Sequence, residues 1–77
     1  MKSVYSARYR TLLVRLKQAR LDAGLTQSQV AAALERPQSF VSKCESGERR
    51  VDAVELEALA MLYGKPLRFF LPEEEQT

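Results

Sequence analysis

A chain of 77 residues can form at most one domain, near the lower size at which a hydrophobic core sustains itself without staples. Twelve Lys and Arg stand against ten Asp and Glu, with no histidine and one cysteine, Cys44. That inventory excludes an internal disulfide framework and supplies no acid–base, nucleophile or metal-ligand constellation, so no enzyme, metal, cofactor or small-molecule substrate is expected.

The first helix is expected over residues 6–23, where Tyr9, Leu12, Leu13, Leu16, Ala19 and Ala23 keep a helical period and Gly24 offers a left-handed terminus. Thr26 with Gln29 three residues on has the form of a capping box and opens a second helix through Val30, Ala31 and Leu34. Pro37 suits the first turn of a third helix over residues 37–46, whose inner stripe would be Pro37, Val41 and Cys44, ending before Gly47. On that stripe Cys44 reads as a small buried hydrophobe rather than a nucleophile. Asp52 with Glu55 caps a fourth helix, whose buried stripe is read as Val54, Leu56, Leu59, Ala60, Leu62 and Tyr63, stopped by Gly64. Pro66 starts a last turn over residues 67–71, and residues 73–77 form a short acidic tail expected to fray.

Without Glu73, Glu74 and Glu75, residues 1–72 hold twelve Lys and Arg against seven Asp and Glu. The excess suits a polyanionic partner but does not by itself identify one. No stretch reaches the roughly 20 apolar residues of a membrane span. The opening MKSVYSARYR lacks a signal-peptide apolar run. A soluble, reducing, cytoplasmic setting without membrane contact is expected.

The chemistry concentrates in the stretch RPQSFVSKCESGERR, residues 36–50. Two short helices joined by a tight turn, over residues 27–45, make a helix-turn-helix candidate, with Ala31 small where the helices cross and Leu25 and Leu34 closing the wedge between them. The outer face of the third helix carries neutral donor–acceptor groups where a solvent face would favour charge. Such a helix fits the major groove of B-DNA, about 12 Å wide, and there glutamine matches adenine while lysine prefers guanine. Gln38, Ser39 and Lys43 are the expected base-contacting residues, with Ser42 a further candidate. Gln27 at a helix N-terminus, and Ser46, Arg49 and Arg50 past the third helix, are placed for phosphates. A solvated loop would also account for Arg49 and Arg50. Phe40 can cover the core, touch the DNA backbone, or both. Glu45, one turn after Val41, faces partly inward and needs a partner; Arg20 is nearest by layout, a structural pair.

Taken together, LTQSQVAAALERPQSFVSKCESGERR, with Arg20 upstream and VELEALAMLYG downstream, resembles the Cro/C1-type (XRE) helix-turn-helix family over residues 9–71. The resemblance implies an all-α, compact five-helix lambda-repressor-like DNA-binding domain over residues 1–72. It implies that Gln27 contacts a phosphate and braces Gln38, that Ser39 and Lys43 read bases, that Ser46 meets a phosphate, and that Arg20 pairs with Glu45. Two positions depart from the family pattern: Glu35 stands where a glycine is usual, and Arg36 where an apolar residue is usual. Pro37 also replaces a capping Ser or Thr.

The function this implies is a sequence-specific transcriptional regulator, a repressor binding a palindromic operator on double-stranded DNA as a homodimer. The alternative is the antitoxin of a toxin–antitoxin pair, which binds a partner protein and its own promoter. The first expected dimer surface is Leu67, Phe69, Phe70 and Leu71, and the second is Val4, Tyr5 and Tyr9; either set could instead simply close the core.

Overall fold

The computed structural model describes residues 6–72. They form five helices in chain order: α1 (Ala7–Asp22), α2 (Gln27–Leu34), α3 (Gln38–Ser46), α4 (Ala53–Tyr63) and α5 (Leu67–Phe70), with no strand among the described residues. The fold is all-α and contains a helix-turn-helix. The acidic tail at 73–77 and two residues of the second dimer surface, Val4 and Tyr5, lie outside the described residues.

Three of the helices start on side-chain caps that the sequence encodes locally. Ser6 Oγ accepts the Tyr9 amide at 3.1 Å. Thr26 Oγ1 accepts the Gln29 amide at 3.1 Å while Gln29 Oε1 accepts the Thr26 amide at 2.9 Å. Asp52 Oδ1 accepts the Glu55 amide at 2.7 Å, and Glu55 Oε1 returns to the Asp52 amide at 3.1 Å. Each such cap contributes about 1 kcal/mol by giving a partner to an amide the helix leaves open. The other two helices, α3 and α5, follow Pro37 and Pro66, which are extended and make no side-chain cap.

Three helices end in the same way. Leu25 N–H reaches Arg20 O across the end of α1, Arg36 N–H reaches Ala31 O across the end of α2, and Lys65 N–H reaches Ala60 O across the end of α4. This six-to-one closure needs one left-handed residue. Gly24 and Gly64 supply it for α1 and α4, but Glu35 supplies it for α2, at φ +57°. The closure of α2 therefore carries a side chain where the geometry favours none, a strain on the order of 1 kcal/mol.

A single apolar cluster joins the helices. α1 contributes Tyr9, Leu12, Leu16 and Ala19; α2 contributes Val30 and Ala31; α3 contributes Phe40, Val41 and Cys44; α4 contributes Leu56, Leu59, Ala60 and Tyr63; and α5 contributes Phe70. Leu13, Leu25, Leu34, Leu62 and Phe69 pack at its rim. α1 runs through the middle, against α3, α4 and α5, while α2 packs on α3. Burial pushes the Cys44 thiol up from its ordinary pKa, so it stays protonated and apolar in character. Among the described residues no helix is long and apolar enough to cross a membrane.

Five sequence expectations are corrected, the first being Phe70, placed on the first dimer surface but fully buried in the core. Pro37 is exposed rather than on the inner stripe of α3, because it is an extended N-cap and the helical period begins after it. Ala23 is exposed, being the cap that leads out of α1. Val54 is 75% exposed. Two residues before Leu56 is a rotation of about 200°, which turns Val54 to the opposite side of α4. Tyr9, placed on the second dimer surface, is buried, and its hydroxyl accepts the Val51 amide at 2.8 Å, tying α1 to the loop before α4.

Candidate nucleic-acid interface

The helix-turn-helix is α2, the left-handed Glu35, Arg36, the N-cap Pro37 and α3. Val30 and Ala31 from α2 meet Phe40, Val41 and Cys44 from α3 in the core, all buried. The apolar side of α3 is thereby committed. Its other side, with Gln38, Ser39, Ser42 and Lys43, is exposed. Ser39, Ser42 and Lys43 make no side-chain hydrogen bond among the described residues, so their donors and acceptors face solvent unengaged.

Gln38 is exposed but held. Its Nε2 donates to Gln27 Oε1 at 3.3 Å, and its Oε1 accepts the Ser28 hydroxyl at 3.2 Å. Both partners lie in the first turn of α2. A carboxamide has two N–H donors and two carbonyl lone pairs. The contacts from α2 therefore leave one donor and one acceptor of this exposed side chain unused. That is the pair adenine requires for bidentate recognition through N7 and N6.

Gln27 connects this surface to the interior. Its Nε2 donates to Glu45 Oε1 at 3.1 Å. The same carboxylate receives Arg20 twice, Nε to Oε2 at 2.6 Å and Nη2 to Oε1 at 3.1 Å. Arg20 also donates through Nη1 to Leu25 O at 3.0 Å. Both ion-pair side chains are about nine-tenths buried. The hydrogen bond to Glu45 raises the Arg20 pKa above its ordinary value, offset in part by burial. A continuous polar path thus runs from α1 through Glu45 and Gln27 to Gln38 on the exposed face of α3.

The residues assigned to phosphates are dispersed. Ser46 Oγ donates to Lys43 O at 3.2 Å and accepts the Glu48 amide at 3.2 Å, closing the end of α3. Arg49 and Arg50 diverge. Arg49 grips Glu55 with both terminal nitrogens, Nη1 to Oε1 at 2.7 Å and Nη2 to Oε2 at 2.8 Å, and lies 4.9 Å from the centre of the Phe40 ring. Arg50 lies 4.4 Å from the centre of the Tyr9 ring, on α1. The Arg49 guanidinium holds the Glu55 carboxyl below its ordinary value, and Glu55 in turn raises Arg49.

Three participants escape sequence reasoning, the first being Ser28, whose hydroxyl donates to Gln38 without any local signature. Glu55 reads as the third residue of a capping box, and its second role with Arg49 has no local signature. Arg36 reads as an exposed replacement in the turn, yet its guanidinium lies 3.9 Å from the centre of the Phe40 ring and 4.0 Å from Glu55. Phe40 is 6% exposed, buried partly by these two arginines. Among the described residues no group of Cys, Asp and Glu could hold a metal ion.

Comparison with known proteins finds relatives of this chain. Residues 11–67 match a family described as a helix-turn-helix domain. Among solved structures, the chain is similar to an XRE-family like protein from Pseudomonas syringae pv. tomato str. DC3000, with 48% sequence identity and a TM-score of 0.78 over 84% of this chain and 79% of that one. A comparison with curated proteins finds no match.

Proposed function

Because the chain belongs to the XRE-type helix-turn-helix family of DNA-binding regulators, we propose that it is a repressor that occupies a palindromic operator on double-stranded DNA as a homodimer. Residues 1–72 would act as one domain that carries this activity. The observation that carries the reading is the exposed, braced amide of Gln38, which keeps one donor and one acceptor unused while Gln27 and Ser28 hold it. With α3 in the major groove, Gln38, Ser39 and Lys43 read base edges, with Ser42 beside them.

Phosphates on the groove edges are met by Gln27 and Ser46, and by Arg50 and the donors of Arg49 that Glu55 does not engage. Two copies related by a two-fold axis would set their recognition helices about 34 Å apart, one turn of DNA. For the dimer surface, Phe70 is fully buried in the core, which leaves Leu67 at 49% exposed, the partly buried Phe69, and Leu71 just after α5 at 39% exposed.

Selection of bound duplexes from random DNA, followed by light scattering on the selected duplex, tests the proposal. A palindromic consensus bound by two copies supports it. Recovery of no consensus contradicts sequence-specific binding, and one copy per consensus duplex contradicts the homodimer.

A further inference from the structure

We propose that Arg36 is a further phosphate-contacting residue, one half of a two-guanidinium clamp built on the ring of Phe40 with Arg49 and braced from behind by Glu55. The inference rests on the DNA-binding reading above and adds a residue that the sequence motif does not assign.

The two arginines on Phe40 are not equivalent. Arg49 commits both terminal nitrogens to Glu55, and its Nη1 also donates to Arg50 O at 3.2 Å. Arg36 approaches the same carboxylate no closer than 4.0 Å, beyond hydrogen-bond reach. Among the described residues its guanidinium donates no hydrogen bond. Its side chain is 42% exposed, and its guanidinium carbon lies over the Phe40 ring, 3.9 Å from the centre. Stacking of this kind restricts a long side chain while leaving its N–H edge open, so little further ordering is required when an anion arrives.

Within the cluster, cations outnumber anions. Two guanidiniums share one carboxylate, leaving one positive charge at a partly exposed position. The arrangement is asymmetric: Glu55 neutralises and fixes Arg49, and Arg36 retains the surplus. Were the cluster merely a lid on Phe40, one arginine would suffice for the ion pair and an aliphatic side chain for the remaining cover.

Position decides which anion would meet that charge. Arg36 precedes Pro37, and Gln38 follows at the start of α3. On the DNA-binding reading the N-terminal end of α3 approaches the base edges, and Arg36, two positions before Gln38, would meet the backbone beside them. The chemistry of a planar fork with open donors matches a phosphate diester oxygen pair. Arg36 thus holds the DNA strand at the N-terminal end of α3, beside an Arg49 that Glu55 fixes over the same ring.

The test compares Arg36→Met, which keeps aliphatic cover on Phe40 without charge, and Arg36→Lys, which keeps the charge. Binding is measured on a duplex selected from random DNA and on a scrambled duplex, over about 50 to about 200 mM salt. One lost phosphate contact lowers the slope of log K against log salt by about 0.9. Across that range the wild-type protein should therefore lose roughly 3- to 4-fold more affinity than Arg36→Met, on both duplexes alike. Arg36→Lys should keep the wild-type slope. A wild-type slope in Arg36→Met overturns the clamp, as does a slope change confined to the selected duplex. A wild-type protein that binds neither duplex overturns the DNA-binding reading and the clamp with it.

Discussion

Arg20 and Glu45, on α1 and α3, form a bidentate pair at 2.6 and 3.1 Å, and one of the two carboxylate oxygens also holds the Gln27 amide. The pair therefore does more than join two helices. It anchors the residue that orients Gln38. Because both side chains are about nine-tenths buried, removing either one strands a charge. Glu45→Ala should cost about 3–5 kcal/mol in a urea unfolding titration. The double variant Arg20→Met with Glu45→Leu should recover much of that loss, since apolar packing replaces the pair without a stranded charge. A loss below about 1 kcal/mol in Glu45→Ala would contradict a structural pair.

Gln27 and Gln38 should act on DNA as a coupled unit. Each single alanine variant weakens binding to the preferred duplex, and the double variant should lose less than the sum of the two. The coupling expected of residues in one hydrogen-bonded network is about 0.5–3 kcal/mol in a double-mutant cycle. Strict additivity would show that Gln27 meets DNA without orienting Gln38.

Glu35 holds φ at +57° in the turn of the helix-turn-helix. Its amide donates to Ala32 O at 3.1 Å within the α2 closure, so the conformation is locked by the turn. Glu35→Gly should raise stability by about 0.5–1 kcal/mol, read as a higher urea midpoint with an unchanged m-value. The gain is limited because glycine also loosens the unfolded chain. A destabilised Glu35→Gly protein would show that the side chain makes a favourable contribution larger than the backbone strain.

Tyr63, 6% exposed, has its phenol pushed up to about 12 from 10.0, first by burial and then by the charge of Glu45. The unfolded chain loses this proton near pH 10 while the folded protein keeps it, so folding is favoured below that pH and penalised above it. Stability should fall between pH 10 and about 12, by up to about 1.4 kcal/mol per pH unit from this group. Tyr63→Phe removes that component while lysine and other tyrosine titrations remain. Equal alkaline slopes in the two proteins would contradict a raised Tyr63.

Much of this arrangement is legible in the sequence because its signals are local. Capping boxes at Thr26 and Asp52, closures at Gly24 and Gly64, and the apolar stripe of α1 each occupy a few neighbouring residues. Val54 is misread because α4 is apolar on nearly every side, so periodicity alone does not choose its inner face. Pro37 is misread because a helical period is extended one residue too far, onto an extended cap. The Arg36, Phe40, Arg49 and Glu55 cluster joins the turn, α3, the following loop and α4. Only the fold brings those residues together, and the capping role of Glu55 masks its second one. Arg20 and Glu45, 25 positions apart, are paired in the sequence reading only by layout and family resemblance.

Reading of DNA by α3 through the braced amide of Gln38 is tested with Gln38→Ala on a duplex selected from random DNA and on its single-base variants. A loss of about 1–3 kcal/mol on the preferred duplex is expected, with discrimination lost at one adenine position and kept elsewhere. A Gln38→Ala protein that retains the wild-type ranking across every variant would contradict it.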